Sequence, residues 1–269
     1  MQKTIDGIRI GYDDAGSGDA LVLIHGFPLD RTTWEIPAAV LAKSCRVIRP
    51  DLRGLGESAR GEGPALMETL AGDLAGLLDA LGVERSIMVG HSLGTYVALA
   101  FFRMYAERVA GLGFVAGHVS ADTPELLPVR DLLASRLSAE GMQPAIDSYV
   151  PRFFAPPFYK EHANIVERTV ALMQGQDPLA AAALVIGMKE RVGSEDLLED
   201  IAVPTLIVAG ENDELISAAA LARTAAAIAD CEYVLIPSVG HMLMDEAPLE
   251  TTAAIERLVA RCGVEAGVR

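Results

Sequence analysis

The chain has 269 residues, enough for one large domain with an insertion and a substantial buried core. Apolar residues make up 51% of it, which excludes a disordered chain, and a formal net charge of −15 argues against nucleic acid or an anionic membrane surface as partner. Three cysteines (Cys45, Cys231 and Cys262) without metal-ligand spacing, no apolar leader and no run of transmembrane length point to a reduced cytoplasmic protein with no metal or cofactor.

In chain order, Ile8-Arg9-Ile10-Gly11-Tyr12 reads as a strand of an opening antiparallel pair that runs into the turn Gly16-Ser17-Gly18-Asp19. Ala20-Leu21-Val22-Leu23-Ile24 is an unbroken apolar run, a strand buried on both faces, and the loop His25-Gly26-Phe27-Pro28 follows it. Arg46-Val47-Ile48-Arg49 is a further strand. The glycine-rich turn behind it, residues 51–58, lacks the Gly-Lys-Ser/Thr of a phosphate loop and is expected to be structural. Leu66, Leu70, Leu74, Leu77, Leu78 and Leu81 recur at helical spacing. Ser86-Ile87-Met88-Val89 and residues 109–116 are strands, with a helix-like run from Thr95 between them. This alternation predicts an α/β fold with a mostly parallel central sheet covered on both faces.

Between about Gly117 and Leu198 the alternation fails. Helical patterns are punctuated by Pro124, Pro128, Pro144, Pro151, Pro156, Pro157 and Pro178, which predicts an inserted helical cap. The strand-like Pro204-Thr205-Leu206-Ile207-Val208-Ala209-Gly210 and Tyr233-Val234-Leu235-Ile236-Pro237 then resume the core. The expected division is core over 1–117, cap over 118–198 and core again over 199–269.

The residues that carry chemistry sit at strand ends. Gly90-His91-Ser92-Leu93-Gly94 lies between a strand and a helix, where a serine must take a strained backbone conformation and side chains two residues away on either flank would clash. Ser92 is therefore expected to be a nucleophile, and it needs a base and a carboxylate that follow it in the chain. Of the five histidines, His25 and His91 precede the serine, His118 precedes any well-placed acid, and His162 falls in the insertion. His241 remains, just after a strand, where groups of open α/β sheets gather. For the acid, Asp213 is the choice, with Glu211 and Glu214 in the same turn and Asp122 after an earlier strand as competitors. The oxyanion donors are expected to be the Leu93 N–H and one from the loop after residue 24. Pro28 has no N–H, which leaves Gly26 or the better-placed Phe27.

Together, His25-Gly26-Phe27-Pro28, Asp51 to Ser58, Gly90 to Gly94, Asp213 and Gly240-His241 resemble the α/β-hydrolase superfamily, and within it the small capped esterases, enol-lactonases and cofactor-free haloperoxidases. The resemblance implies a serine hydrolase that cleaves a small-molecule carboxylic ester or lactone through an acyl-enzyme. The superfamily's dehalogenases and epoxide hydrolases use aspartate where Ser92 stands, which argues against both activities. Caps of this kind roof the site. Candidate pocket residues are therefore His25, which also braces its loop, His118, Met142, Phe153, Phe154 and Met188, with Phe158, Tyr159 and Met173 as further lining candidates and Asp122 beside His118 at the cap's entry. Arg130, Arg136, Arg152 and Arg168 in the cap have no assigned place. Three rivals stay open: carbon–carbon bond hydrolysis, perhydrolysis, and a low-turnover ligand receptor on the same fold. Assembly into a homo-oligomer is not decided by the sequence.

Overall fold

Apolar runs of five or six residues are long enough to cross a sheet and too short to make a buried helix, and they form the centre of the molecule. The computed structural model describes residues 1–263. Strands β1 (Gln2–Ile5), β2 (Ile8–Ala15), β3 (Ala20–Ile24), β4 (Arg46–Pro50), β5 (Ser86–His91), β6 (Val109–Val115), β7 (Thr205–Gly210) and β8 (Cys231–Ile236) make one eight-stranded sheet in the order β1-β2-β4-β3-β5-β6-β7-β8. From β4 onward every pairing is parallel. β3, β5 and β7 are buried along their whole length, whereas the edge strands β1 and β8 are largely exposed or half-buried.

The opening antiparallel pair is β1 with β2, joined by Asp6 and Gly7 at φ 46° and 82°. Both turn residues thus lie in the left-handed region that a two-residue hairpin requires. The reading that began at Ile8 missed β1, whose Gln2, Lys3 and Thr4 carry no apolar pattern. The turn Gly16–Gly18 instead leads from β2 into β3, and β2 pairs antiparallel with β4.

Helices cover both faces. α1 (Glu35–Leu41) lies on one, and α2 (Met67–Ala80) and α3 (Leu93–Tyr105) on the other. Of the leucine stripe predicted over 66–81, Leu70, Leu74, Leu77 and Leu78 form the buried face of α2, at most 3% exposed, whereas Leu66 and Leu81 cap the helix and Leu66 is exposed. Between β6 and β7 come α4 (Leu127–Glu140), α5 (Gln143–Phe153), α6 (Pro156–Glu161), α7 (Ala163–Gln174) and α8 (Pro178–Glu190). The prolines of this stretch explain its punctuation: Pro128, Pro144, Pro156, Pro157 and Pro178 occupy first-turn positions, where the missing N–H costs nothing. α9 (Ala218–Ala226), α10 (Leu243–Glu246) and α11 (Pro248–Arg261) complete the chain, with α11 packed beside α1. Among the described residues no single helix is long and apolar enough to cross a membrane.

The glycine-rich turn after β4 is a polar brace. Asp51 accepts hydrogen bonds from the Arg31 and Glu57 amides and pairs with the Arg31 guanidinium, while Ser58 Oγ donates to Asp51 O at 2.7 Å. Gly56, at φ 54°, leaves room for the Asp51 carboxylate, which would lie 2.3 Å from an added Cβ.

Candidate active site

β5 ends in a forced turn. Ser92 sits at φ 50° and ψ −113°, a strained conformation for a residue with a Cβ, which costs about 1–3 kcal/mol. It holds because the flanks allow no alternative. A Cβ on Gly90 would lie 2.1 Å from Gly94 C, and one on Gly94 would lie 2.4 Å from Ile24 O. Thr95 Oγ1 ties the first turn of α3 back to Gly90 O at 2.9 Å, and Ser92 N donates to Val115 O.

Three further loops reach the same end of the sheet. After β7, Asp213 Oδ1 accepts from Leu215 N and Ile216 N at 2.8 and 2.9 Å. Its other oxygen accepts from His241 Nδ1 at 2.8 Å, in a pair whose side chains are at most 2% exposed. That partner fixes the Nδ1–H tautomer of His241 and leaves Nε2 free of protein partners among the described residues. After β8, His241 N and Met242 N both donate to Phe153 O, at 2.8 and 3.0 Å, at the end of α5. The Glu246 carboxylate accepts from Gly240 N at 3.0 Å and from Ala155 N at 2.9 Å, so two separate bridges hold the histidine loop to the helical insertion. After β3, Phe27 lies close to Ser92 at the cavity. Among the described residues neither Phe27 N–H nor Leu93 N–H donates to a protein acceptor.

The competing acids are elsewhere. Glu211 accepts from Ser238 N, Glu214 is exposed, and Asp122 lies between Arg130 and Arg191 at 2.9 and 2.8 Å. Of these four carboxylates only Asp213 meets His241.

Ser92 and His241 open onto a cavity of about 230 Å³ bounded by α3, α4, α5 and the loop after β3. Of the expected lining residues, His118, Phe153 and Met188 border it. His25, Met142 and Phe154 do not, which corrects their placement. His25 is fully buried, donating from Nδ1 to Gly26 O and accepting the Leu52 N–H at Nε2, both at 2.9 Å. Burial holds it neutral against the pull of Asp51, so it braces the loop from behind. Met142 packs in the core between α4 and α5, and Phe154 stacks on Phe158 at 5.5 Å, turned from the cavity. Phe158, Tyr159 and Met173 lie outside the lining as well.

Sequence reasoning missed Tyr96 and Tyr149. Tyr96 stands one helical turn after Ser92, a spacing that puts both on one face and could have revealed it. Tyr149 carries no such signal, yet its ring lies edge-on to Phe27 at 5.6 Å and near Phe153 at 5.8 Å, and Phe153 stacks on His241 at 5.8 Å. The unplaced arginines also separate: Arg130 and Arg152 border the cavity, whereas Arg136 pairs with Glu140 and Arg168 with Asp245. His118 accepts the Ser120 N–H at Nδ1 and donates from Nε2 to Tyr96 Oη at 2.8 Å. Burial, helped by Arg191, pushes its pKa down to about 4.

Comparison with known proteins agrees with this fold. A family model described as the alpha/beta hydrolase family matches residues 21–255. A Synechocystis sp. protein named a non-heme chloroperoxidase is 32% identical over 251 residues, 88% of this chain and 89% of that one. A thermophilic esterase from Thermogutta terrifontis, solved with malate bound, superposes with a TM-score of 0.94 at 35% identity, covering 97% of this chain and 98% of that one. The enol-lactonase from Burkholderia xenovorans LB400 shares the fold, with a TM-score of 0.90 at 24% identity over 97% of this chain and all of that one. With the sheet order, the serine turn and a match across most of its length in hand, the chain belongs to the alpha/beta hydrolase family and is a hydrolase.

Proposed function

We propose that the protein hydrolyses a carboxylic ester or lactone of a small molecule through an acyl-enzyme. The observation that carries this is the buried Asp213–His241 pair opening onto the same cavity as the strained Ser92. Ser92 Oγ attacks the carbonyl carbon as His241 Nε2 takes its proton, and Asp213 holds the ring and offsets the charge the ring acquires. The oxyanion is held by the Phe27 and Leu93 N–H groups, both without protein acceptors among the described residues. Collapse of the tetrahedral species breaks the carbon–oxygen bond of the leaving group, which takes the proton from His241. Water then repeats the sequence on the acyl-enzyme and frees the acid. Ser92 and His241 are not hydrogen-bonded to each other, an arrangement common to such pairs. Helices α4 to α8, within the 118–198 insertion, act as a cap that selects the substrate.

One rival gains from the structure. Hydrolysis of a carbon–carbon bond by the same triad would use a cationic group in the cavity, and Arg130 and Arg152 are there. Hydrolysis of 4-nitrophenyl acetate, butyrate and octanoate by wild type and Ser92→Ala separates the readings. Ester turnover that falls at least a thousandfold in the variant, with the circular dichroism unchanged, is expected. Equal rates would overturn the nucleophile.

A further inference from the structure

The cavity wall is charged against the trend of the chain. The protein carries 37 acidic and 22 basic residues, yet Arg130 and Arg152 border the cavity and no aspartate or glutamate among the described residues does. Behind the wall Asp122, its side chain 1% exposed, is shared between Arg130 at 2.9 Å and Arg191 at 2.8 Å. Two guanidiniums therefore face one carboxylate, and the remaining neighbours add no negative charge. His118 is neutral, and burial pushes the Tyr96 hydroxyl above its ordinary pKa, so it too stays protonated. Arg191 does not border the cavity: it donates to Met188 O and Ser120 O, its guanidinium lies 4.1 Å over the Tyr96 ring, and its buried Nε meets no acceptor among the described residues. Arg152, exposed to solvent, has no carboxylate partner among the described residues and donates to Glu214 O at 2.8 Å, so the mostly buried cation at the cavity is Arg130. Its Nε–H goes to Asp122 and one Nη1–H to Tyr149 Oη at 3.0 Å, while Nη2 meets no protein acceptor among the described residues.

Tyr149 sets how far this charge stands from the reacting carbonyl. Its ring touches Phe27 of the oxyanion loop and its hydroxyl holds Arg130, so the guanidinium stands one aromatic side chain away from the oxyanion loop. Leu126, Val129 and Leu133 of the same α4 segment make the space around it apolar. A planar guanidinium with donors to spare in a small, mostly apolar chamber suits a carboxylate, which it can meet with two parallel hydrogen bonds.

We propose that Arg130, steadied by Tyr149 and Asp122, is the anion subsite of this cavity, and that the preferred substrate is an ester or lactone bearing a free carboxylate a few carbon atoms from the scissile carbonyl. This rests on the ester-hydrolase reading for its chemistry but not for its binding.

The test compares monomethyl with dimethyl esters of succinic, glutaric, adipic and pimelic acids at pH 7.5, in wild type, Arg130→Gln and Tyr149→Phe. Isothermal titration with glutarate and adipate as probes accompanies it. For at least one chain length the monoanion is expected to exceed its dimethyl ester in kcat/KM by about tenfold or more, the scale of one charge-assisted hydrogen bond. That ratio should fall about tenfold in Arg130→Gln and less in Tyr149→Phe, with dicarboxylate affinity falling in parallel. Hydrolysis of the dimethyl esters without preference for any monoanion, and without dicarboxylate binding, overturns the subsite and leaves the hydrolase reading intact. Arg130-dependent dicarboxylate binding with no ester turned over supports the subsite and overturns the hydrolase reading instead. Should Arg130→Gln fail to fold, the Tyr149→Phe ratio and the wild-type titrations decide.

Discussion

Replacing Asp213 with asparagine asks whether His241 works as a base, and the structure sets the size of the answer. Asp213 Oδ1 accepts two backbone N–H groups, from Leu215 and Ile216, while Oδ2 accepts His241 Nδ1–H. Asparagine has nearly the same shape, so its carbonyl oxygen is drawn to the two amides and its NH₂ is turned to the imidazole. His241 must then accept at Nδ1 and carry its proton on Nε2, the nitrogen that has to receive the serine proton. Turning the amide over would restore the ring but leave two buried N–H groups facing an NH₂, at about 1–3 kcal/mol each. The competent orientation is therefore disfavoured by about 2–6 kcal/mol. At about 1.4 kcal/mol per decade it is populated between roughly one part in thirty and one in twenty thousand. Asp213→Asn should lower kcat on 4-nitrophenyl butyrate within that range, nearer its upper end if the triad behaves as others do. The melting temperature should move little, because the side chain's shape and two of its three hydrogen bonds survive. A loss below about tenfold, or an equal loss in Glu211→Gln, would refute the reasoning.

Other expectations concern stability. Gly90→Ala places a Cβ 2.1 Å from the Gly94 backbone, which cannot give way as a side chain would. A cost of about 3 kcal/mol or more, read as a fall in Tm of roughly 6–12 °C, is expected, and an unchanged melt would contradict it. Gly72→Ala in α2, where an added Cβ meets nothing within 4 Å, should instead stabilise by about 0.5–1 kcal/mol. Asp122→Asn leaves Arg130 and Arg191 without their buried counter-charge and should cost about 3–5 kcal/mol, seen by differential scanning calorimetry at pH 7. Burial raises the Asp122 pKa, but Arg130 and Arg191 outweigh it and lower it overall, so its contribution is present at neutral pH and fades as pH falls through the folded-state value. His118 acts in the same direction for a different reason. Its pKa is about 4 when folded against 6.5 unfolded, so between those values the unfolded chain holds a proton the native one lacks. Stability is lost as pH falls through that window, by about 1.4 kcal/mol per pH unit from this residue. His118→Gln should flatten the Tm profile between pH 6.5 and 4.5, and identical slopes would show that His118 does not titrate this way.

What the sequence disclosed and what it withheld divide along a physical line. Strands β3, β5 and β7 are buried on both faces, so their residues are uniformly apolar and stand out. The Ser92 turn stands out as well, because only glycine fits at 90 and 94. The edge strand β1 escaped, since three of its four side chains face solvent. The cavity lining escaped most of all. Phe154 and Phe153 are adjacent and alike in composition, yet one turns to Phe158 and the other stacks on His241. That choice depends on how α5 ends against the histidine loop, a tertiary contact with no local signature. Arg130 and Arg136 are likewise indistinguishable as letters. Six residues along α4, about one and two-thirds turns, separate a guanidinium at the cavity from one on the surface.

The bond from the His241 and Met242 amides to Phe153 O has a consequence for how such proteins diversify. A roof that only enclosed the chamber could be traded between relatives, or trimmed, to change what the enzyme accepts. Here the roof also holds the loop that presents the imidazole, and Glu246 adds a second bridge through Ala155. A transplanted roof would have to supply a carbonyl at the place of Phe153 and an amide at the place of Ala155 before its new lining mattered. Under the proposed triad and cap, substrate range and turnover would be mechanically linked in this chain, and point changes along α4 and α5 would be a safer route to new specificity than exchange of the whole segment.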